Sequence, residues 1–252
     1  MSVTAFSFPT NIQFGAGARR LVAAHLREAG YQRPLLVTDK ALATLPVLDE
    51  FKTHLEDLDV AVFSGVFGNP TTSQVMAGAV AFIGHRADCI IGFGGGAALD
   101  VAKLVGVAAT HTGDIIEYVW DHPQSRAIEH SLPYLVALPT TAGTGSEVGR
   151  ASVISEDDSH LKRVVFHPKL LAKCVFADPE LTLSLPPHIT AATGIDALTH
   201  NIESYLSPAY HPLCDGIALE GARIAARALV TAVIEPDNLQ ARSDMMMASM
   251  LG

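Results

Sequence analysis

The stretch Ile90-Ile91-Gly92-Phe93-Gly94-Gly95-Gly96-Ala97-Ala98-Leu99-Asp100-Val101-Ala102-Lys103 constrains the fold more than any other. A short apolar run enters three consecutive glycines, and a helical pattern (Leu99, Ala102, Lys103, Gly106) follows at once. Strand, glycine turn and helix start are the parts of a phosphate-binding loop. Backbone without side chains lets a pyrophosphate come close, and the first helical N–H groups and the helix dipole favour an anion. A tight strand-to-helix connection with no ligand is the alternative, but three glycines exceed what such a connection needs.

The flanking text alternates between strands and helices. Phe8 to Gly15 reads as a short strand closed by glycine, and residues 18–29 carry helical periodicity that stops at Gly30, a good C-terminal cap. Pro34-Leu35-Leu36-Val37-Thr38 is continuously apolar, as a strand covered on both faces would be, and it ends at Asp39. An acid at such a strand end can accept hydrogen bonds from a nucleotide ribose and would repel a 2′-phosphate; equally, Asp39 can cap the helix that follows. Val60–Phe63 is a third strand, followed by the turn Phe67-Gly68-Asn69-Pro70-Thr71 and a helix through Val75, Ala79 and Ile83. Pro133–Leu138 is a fifth strand, opening into Pro139-Thr140-Thr141-Ala142-Gly143-Thr144-Gly145-Ser146-Glu147. Such alternation predicts a parallel, helix-covered sheet. In the most familiar dinucleotide fold the ribose acid follows the glycines by about 20 residues. Here Asp39 precedes them, and the glycine spacing differs from the usual fingerprint. The sequence therefore predicts a nucleotide fold of another lineage.

Ala151–Ile154, Arg163–Phe166 and Cys174–Ala177 read as further strands, with Glu156-Asp157-Asp158-Ser159 as a hairpin tip between the first two. From Pro186-Pro187 onward the text is rich in alanine and leucine at helical spacing, which places a domain boundary near residue 185. In this helical part Asp196 and His200 stand four apart and so share one helical face. A carboxylate and an imidazole so placed can share a divalent ion, or can form an ordinary hydrogen-bonded pair.

The whole-chain balance narrows the partners. With 17 basic and 26 acidic residues the net charge is −9, which argues against nucleic acid or an anionic membrane surface. No apolar run approaches the ~20 residues of a transmembrane helix, and Met1–Phe6 lacks the features of a signal peptide. Cys89, Cys174 and Cys214 are odd in number and widely spaced, so they read as reduced thiols of a cytoplasmic protein.

Taken together, Phe8-Pro9-Thr10…Phe14-Gly15, Gly94-Gly95-Gly96…Lys103, the Thr140–Glu147 loop, Asp178-Pro179-Glu180-Leu181-Thr182 and Gly194-Ile195-Asp196-Ala197-Leu198-Thr199-His200 stand in the order found in iron-containing (group III) alcohol dehydrogenases, which the chain resembles over essentially its whole length. The resemblance implies an α/β N-terminal domain with a parallel Rossmann-like sheet binding NAD(P), residues 1–185. It also implies an all-helical, dehydroquinate synthase-like metal-binding domain, of which residues 186–252 are the first part. By position, Asp39 would meet the adenosine ribose and Asn69 would lie near the cofactor. Gly95, Gly96 and Ala97 would hold the pyrophosphate with Asp100 close by, and Thr140 and Thr141 would contact the adenine side. Lys162 and Leu181 would approach from the strand region before the helices. Asp196 and His200 would be two of four metal ligands, Fe²⁺ by family resemblance, with Zn²⁺ also suited to the donors.

The chain departs from the family pattern in three places. Ala97 stands where serine usually follows the glycines, which removes a hydroxyl and weakens phosphate binding. Gly149 and Ala151 replace larger residues beside the nicotinamide. The family's two further histidine ligands are absent before Gly252, so the chain reads as about the first two-thirds of a longer enzyme; His211, the nearest other histidine, reads as a loop residue. The implied activity is hydride transfer between NAD and a primary or secondary alcohol, with the metal as Lewis acid and NAD preferred over NADP because of Asp39. The partners implied are a small alcohol, aldehyde or ketone and further copies of the chain. Two alternatives remain: a glycerol or sugar-phosphate dehydrogenase or dehydroquinate synthase-like enzyme on the same scaffold, and, for these residues alone, a nucleotide-binding module without catalysis.

Overall fold

The computed structural model describes residues 10–123 and 125–252. Phe8 and Pro9, which open the first expected strand, and Met1–Phe6 lie outside the described residues. In chain order the α/β part comprises β1 (Asn11–Phe14), α1 (Val22–Glu28), β2 (Pro34–Asp39), α2 (Pro46–Thr53), β3 (Ala61–Val66), α3 (Thr72–His85), β4 (Cys89–Gly94), α4 (Gly96–Thr110), β5 (Tyr134–Pro139), the hairpin β6 (Ala151–Ser155) and β7 (Lys162–Phe166), and β8 (Cys174–Ala177). Three helices complete the chain: α5 (Pro187–Leu206), α6 (Pro212–Ile234) and α7 (Leu239–Leu251).

Six strands form one parallel sheet in the order β1-β8-β5-β4-β2-β3, and β6 pairs with β7 antiparallel beside it. The expected parallel sheet is present, and its continuous apolar strands are buried on both faces, as the Pro34–Thr38 run implied. Alternation along each strand divides the core. Leu36, Ile91, Phe93 and Val136 pack with Val22, Leu26, Leu48 and Phe51 of α1 and α2. Leu35, Val37, Ile90 and Leu135 pack with Val75 of α3 and Leu99, Val101 and Leu104 of α4.

This division sets the position of the candidate site. The chain leaves β2 toward the α2 face and leaves β4 toward the α4 face, although the two strands are neighbours. Their outgoing loops diverge, so a crevice opens beyond the carboxyl ends of β2 and β4. Open α/β sheets bind ligands at such a switch point.

Pro187 occupies the first turn of α5, where its missing N–H costs nothing, as the Pro186-Pro187 pair predicts. The helices pack on the sheet part rather than apart from it: Ala197, Ala225, Met245, Met246 and Ala248 share one buried cluster with Leu99, Leu104 and Ala142. The α/β topology ends with β8 and the helical topology begins at α5, with a continuous core shared by the two. On the opposite side α5 and α6 present Ile195, Leu206, Val230 and Ile234, each more than half exposed. No helix among the described residues is long and apolar enough to cross a membrane.

Candidate active site

The turn after β4 is built for close approach. Gly94 has φ +151°, a conformation that disfavours a side chain, and a Cβ there would lie 2.7 Å from that of Ala98. A Cβ at Gly96 would come within 2.7 Å of the Thr144 side chain. Gly95 is the N-cap of α4, and neither a side-chain cap nor an acidic residue occupies its first turn. That 15-residue helix therefore presents its N-terminal N–H groups and dipole at the end of a strand.

Asp39, Gly95 and Ala97 line one cavity of about 510 Å³ together with Lys40, Val66, Phe67 and Gly68. The strand-end acid and the glycine turn, far apart in sequence, thus face each other across the switch point. Asn69 directly follows Gly68 in the turn that forms one wall. Asp39 Oδ1 accepts the Leu42 N–H (2.8 Å) at the start of a short 3-10 turn, and a Cβ placed at Gly94 would lie 3.5 Å from Asp39 Oδ2.

The loop after β5 runs from this cavity to a second one. The Thr140 N–H donates to the Gly94 carbonyl (3.0 Å), and Thr141 stands over Gly95, 3.3 Å from where a Cβ would sit. Thr144 stands over Gly96 and also lines the second cavity, of about 440 Å³, with Gly149, Ala151, His200, His211 and Cys214. His200 Nε2 lies 3.6 Å from Asp196 Oδ1, so the pair forms on one helical face as its spacing requires. Of the two, His200 is the one that lines the cavity. His211 is the N-cap of α6, its Nδ1 accepting the Cys214 N–H (3.2 Å), and it borders the same cavity. Among the described residues no group of three or more His, Cys, Asp or Glu side chains converges as a metal centre would require.

A buried polar core fixes the loop. Lys103 Nζ donates to the carbonyls of Ser146 (2.6 Å) and Ala151 (2.7 Å) and to the Ser146 hydroxyl (2.8 Å), with Asp100 Oδ1 at 3.8 Å. Asp100 in turn accepts the Ser146 hydroxyl (2.6 Å) and the Val153 N–H (3.0 Å). Its carboxylate thus ties α4 to the loop and to the β6–β7 hairpin, and it sits one turn beyond Gly96. Burial raises the Asp100 pKa against the pull of Lys103, and burial lowers that of Lys103. Glu147, fully buried next to this group with one oxygen lacking a partner, is pushed up to about 7 by desolvation. Lys162 is exposed at the start of β7, and Leu181 is buried in the α1–α2 side of the core; neither lines either cavity. Thr140 is buried, and neither it nor Thr141 lines either cavity. Lys40, Phe67 and Thr144 line the cavities without having been singled out as ligand contacts from the sequence. An exposed phenylalanine in a Gly-Asn-Pro turn was the one available signal.

These features define a class: an α/β protein with a crevice at the switch point of a parallel sheet, beside a glycine turn, and a helical unit bordering a second cavity. Residues 9–179 match the family model described as iron-containing alcohol dehydrogenase, and residues 190–252 match that of the C-terminal part of the same family. The chain belongs to the iron-containing alcohol dehydrogenase family. It is 39% identical over 244 residues to 4-hydroxybutyrate dehydrogenase of Cupriavidus necator, covering 96% of this chain and 63% of that protein. Similarity to 1,3-propanediol dehydrogenase of Citrobacter freundii is 39% over 242 residues, covering 94% and 62%. Among solved structures, a 1,3-propanediol oxidoreductase superposes with TM-score 0.92 at 37% identity, over 98% of this chain and 65% of that one. A sulfoacetaldehyde reductase from Bifidobacterium kashiwanohense, solved with NAD⁺, gives TM-score 0.93 at 30% identity, over 100% and 66%. The chain therefore spans somewhat less than two-thirds of the length of these relatives.

Proposed function

We propose that these residues form the cofactor half of an alcohol dehydrogenase that moves a hydride between NAD and a primary or secondary alcohol or its carbonyl product. The observation that carries this reading is the shared cavity of Asp39 and the Gly95–Ala97 turn. The adenosine ribose would rest on Asp39 Oδ2, and the diphosphate on the first turn of α4, held by backbone N–H groups rather than by a serine at Ala97. Thr141 and Thr144, packed over the glycines, fix how far the diphosphate can shift and direct the other end of the cofactor into the second cavity. Gly149 and Ala151 leave room there for a nicotinamide beside His200.

Bound nicotinamide supplies the redox chemistry; the chain supplies orientation and a cleft partly screened from water. NAD is preferred, because the Asp39 carboxylate at the ribose repels a 2′-phosphate. Asp196 and His200 supply two donors suited to Fe²⁺ or Zn²⁺, whereas a catalytic divalent site uses three or more. The described residues alone do not complete such a site. That shortfall favours a second reading for the chain by itself, NAD binding without turnover.

Titration calorimetry with NAD⁺, followed by an alcohol oxidation assay at saturating cofactor with and without added Fe²⁺, tests both readings. One-to-one binding with no turnover supports the module reading for this chain, and turnover dependent on Fe²⁺ supports the full activity. Absence of NAD⁺ binding refutes both.

A further inference from the structure

Lys40 is adjacent to the residue on which cofactor choice rests, and it lines the same cavity. It is exposed, and among the described residues no ion pair engages its ammonium group. Its backbone is fixed, with the N–H donating to the Val66 carbonyl at 2.7 Å, so the side chain starts from a defined point beside the Phe67–Gly68 wall. Lys40 is the one cation among the residues lining that cavity, and Asp39 the one anion. Asp39 Oδ1 already accepts the Leu42 N–H, and Oδ2 lies 3.5 Å from where a Gly94 Cβ would sit, on the side of the glycine turn.

We propose that Lys40 is a specificity residue, a cation placed to bind the 2′-phosphate of NADP and offset by the neighbouring Asp39 carboxylate. Resting on the dinucleotide site proposed above, it makes cofactor choice a balance of two adjacent side chains of opposite charge. In this arrangement NADP is disfavoured by Asp39 alone, and removing that carboxylate exposes a phosphate site already equipped with a donor. A mobile lysine suits a phosphate as a point charge and needs no fixed geometry.

The test is calorimetric or fluorescence titration of NAD⁺ and NADP⁺ into the chain and into Asp39→Ala, Lys40→Ala and the double variant, with thermal unfolding of each as a check on folding. Asp39→Ala is expected to tighten NADP⁺ binding about tenfold, and adding Lys40→Ala to reverse that gain, since a charged hydrogen bond to phosphate accounts for about that factor. Lys40→Ala alone should leave the NAD⁺ dissociation constant within about twofold, because NAD⁺ lacks the group that Lys40 would bind. The proposal is overturned if the double variant binds NADP⁺ as tightly as Asp39→Ala. It is equally overturned if Lys40→Ala weakens NAD⁺ and NADP⁺ alike, which would place Lys40 at the shared diphosphate. Either result leaves the dinucleotide site standing, whereas absence of binding by the unmodified chain removes the site and this proposal together.

Discussion

Replacing Lys103 with methionine should show how much of the site depends on one buried cation. The ammonium is nearly sequestered from solvent and donates to three oxygens at 2.6–2.8 Å, among them the carbonyls of Ser146, in the loop that runs between the cavities, and of Ala151, where that loop enters β6. Methionine keeps the length and apolar stem but leaves those acceptors, and the buried Asp100 carboxylate, without their cation. An unsatisfied buried acceptor costs about 1–3 kcal/mol, and breaking a buried ion pair from one side costs about 3–5 kcal/mol. The terms overlap, since the same atom serves all four oxygens and Asp100 keeps the Ser146 and Val153 donors, so the total expected is about 4 kcal/mol. For a chain of this size that lowers Tm by roughly 8–16 °C. Urea denaturation gives the stability, and NAD⁺ titration well below the lowered Tm gives the effect on the site. Affinity should fall even where the variant is folded, because Ser146 and Ala151 anchor the loop carrying Thr141 and Thr144. A stability loss under about 1 kcal/mol, or unchanged NAD⁺ affinity in the folded variant, would show that Lys103 does not hold the loop.

Glu147 gives a pH signature. Its folded pKa of about 7 lies above the ordinary carboxylate value of 4.5, so the folded state binds the proton more tightly than the unfolded state. Its contribution to stability is therefore full below pH 4.5 and is lost as pH rises through 7, by about 3 kcal/mol at most. Urea midpoints at pH 5 and pH 8 should differ more in the unmodified chain than in Glu147→Gln, and an equal difference in both would remove Glu147 as the cause. Gly96→Val should abolish NAD⁺ binding through the clash with Thr144, read by titration; retained binding would mean that the turn does not carry the diphosphate. At the hairpin tip Asp157 accepts from the Ser73 N–H and hydroxyl and so caps α3. Asp157→Ala should cost about 1 kcal/mol in urea denaturation, the usual size of such a cap, and no loss would show the contact is idle. With Asp196 and His200 as the paired donors, the chain should emerge from gel filtration without stoichiometric Fe²⁺ or Zn²⁺ by elemental analysis, whereas one retained ion per chain would require further donors.

The sheet was legible because its strands are apolar runs punctuated by glycine and proline, and parallel pairing follows from their alternation with helices. The position of the glycine turn was legible for the same reason, since Gly94 needs a backbone conformation that few other residues tolerate. That Asp39 faces this turn was not contained in spacing. It follows from β3 lying outside β2 and the chain crossing back to β4, a topological fact that local patterns do not encode. Lys103 and Asp100 read as helix residues beside a phosphate loop, and the structure adds that their buried side chains fasten Ser146, Ala151 and Val153. Their partners lie more than 40 residues away, beyond the reach of any periodicity. Asp196 and His200 were legible as a pair through helical spacing alone, and the structure adds that His200 lines the second cavity. Phe67 and Lys40 were hidden because exposed loop residues become cavity walls only once β2 and β3 are placed side by side.

The most direct measurement is NAD⁺ titration monitored by backbone amide resonances of the isotopically labelled chain. A single dinucleotide spanning both cavities should perturb Asp39, Gly95–Ala97, Thr144 and Gly149–Ala151 together, at one stoichiometric equivalent and with one dissociation constant. Shifts confined to residues 39–97 with Gly149–Ala151 unmoved, or no shifts at all, would contradict the proposed path of the cofactor.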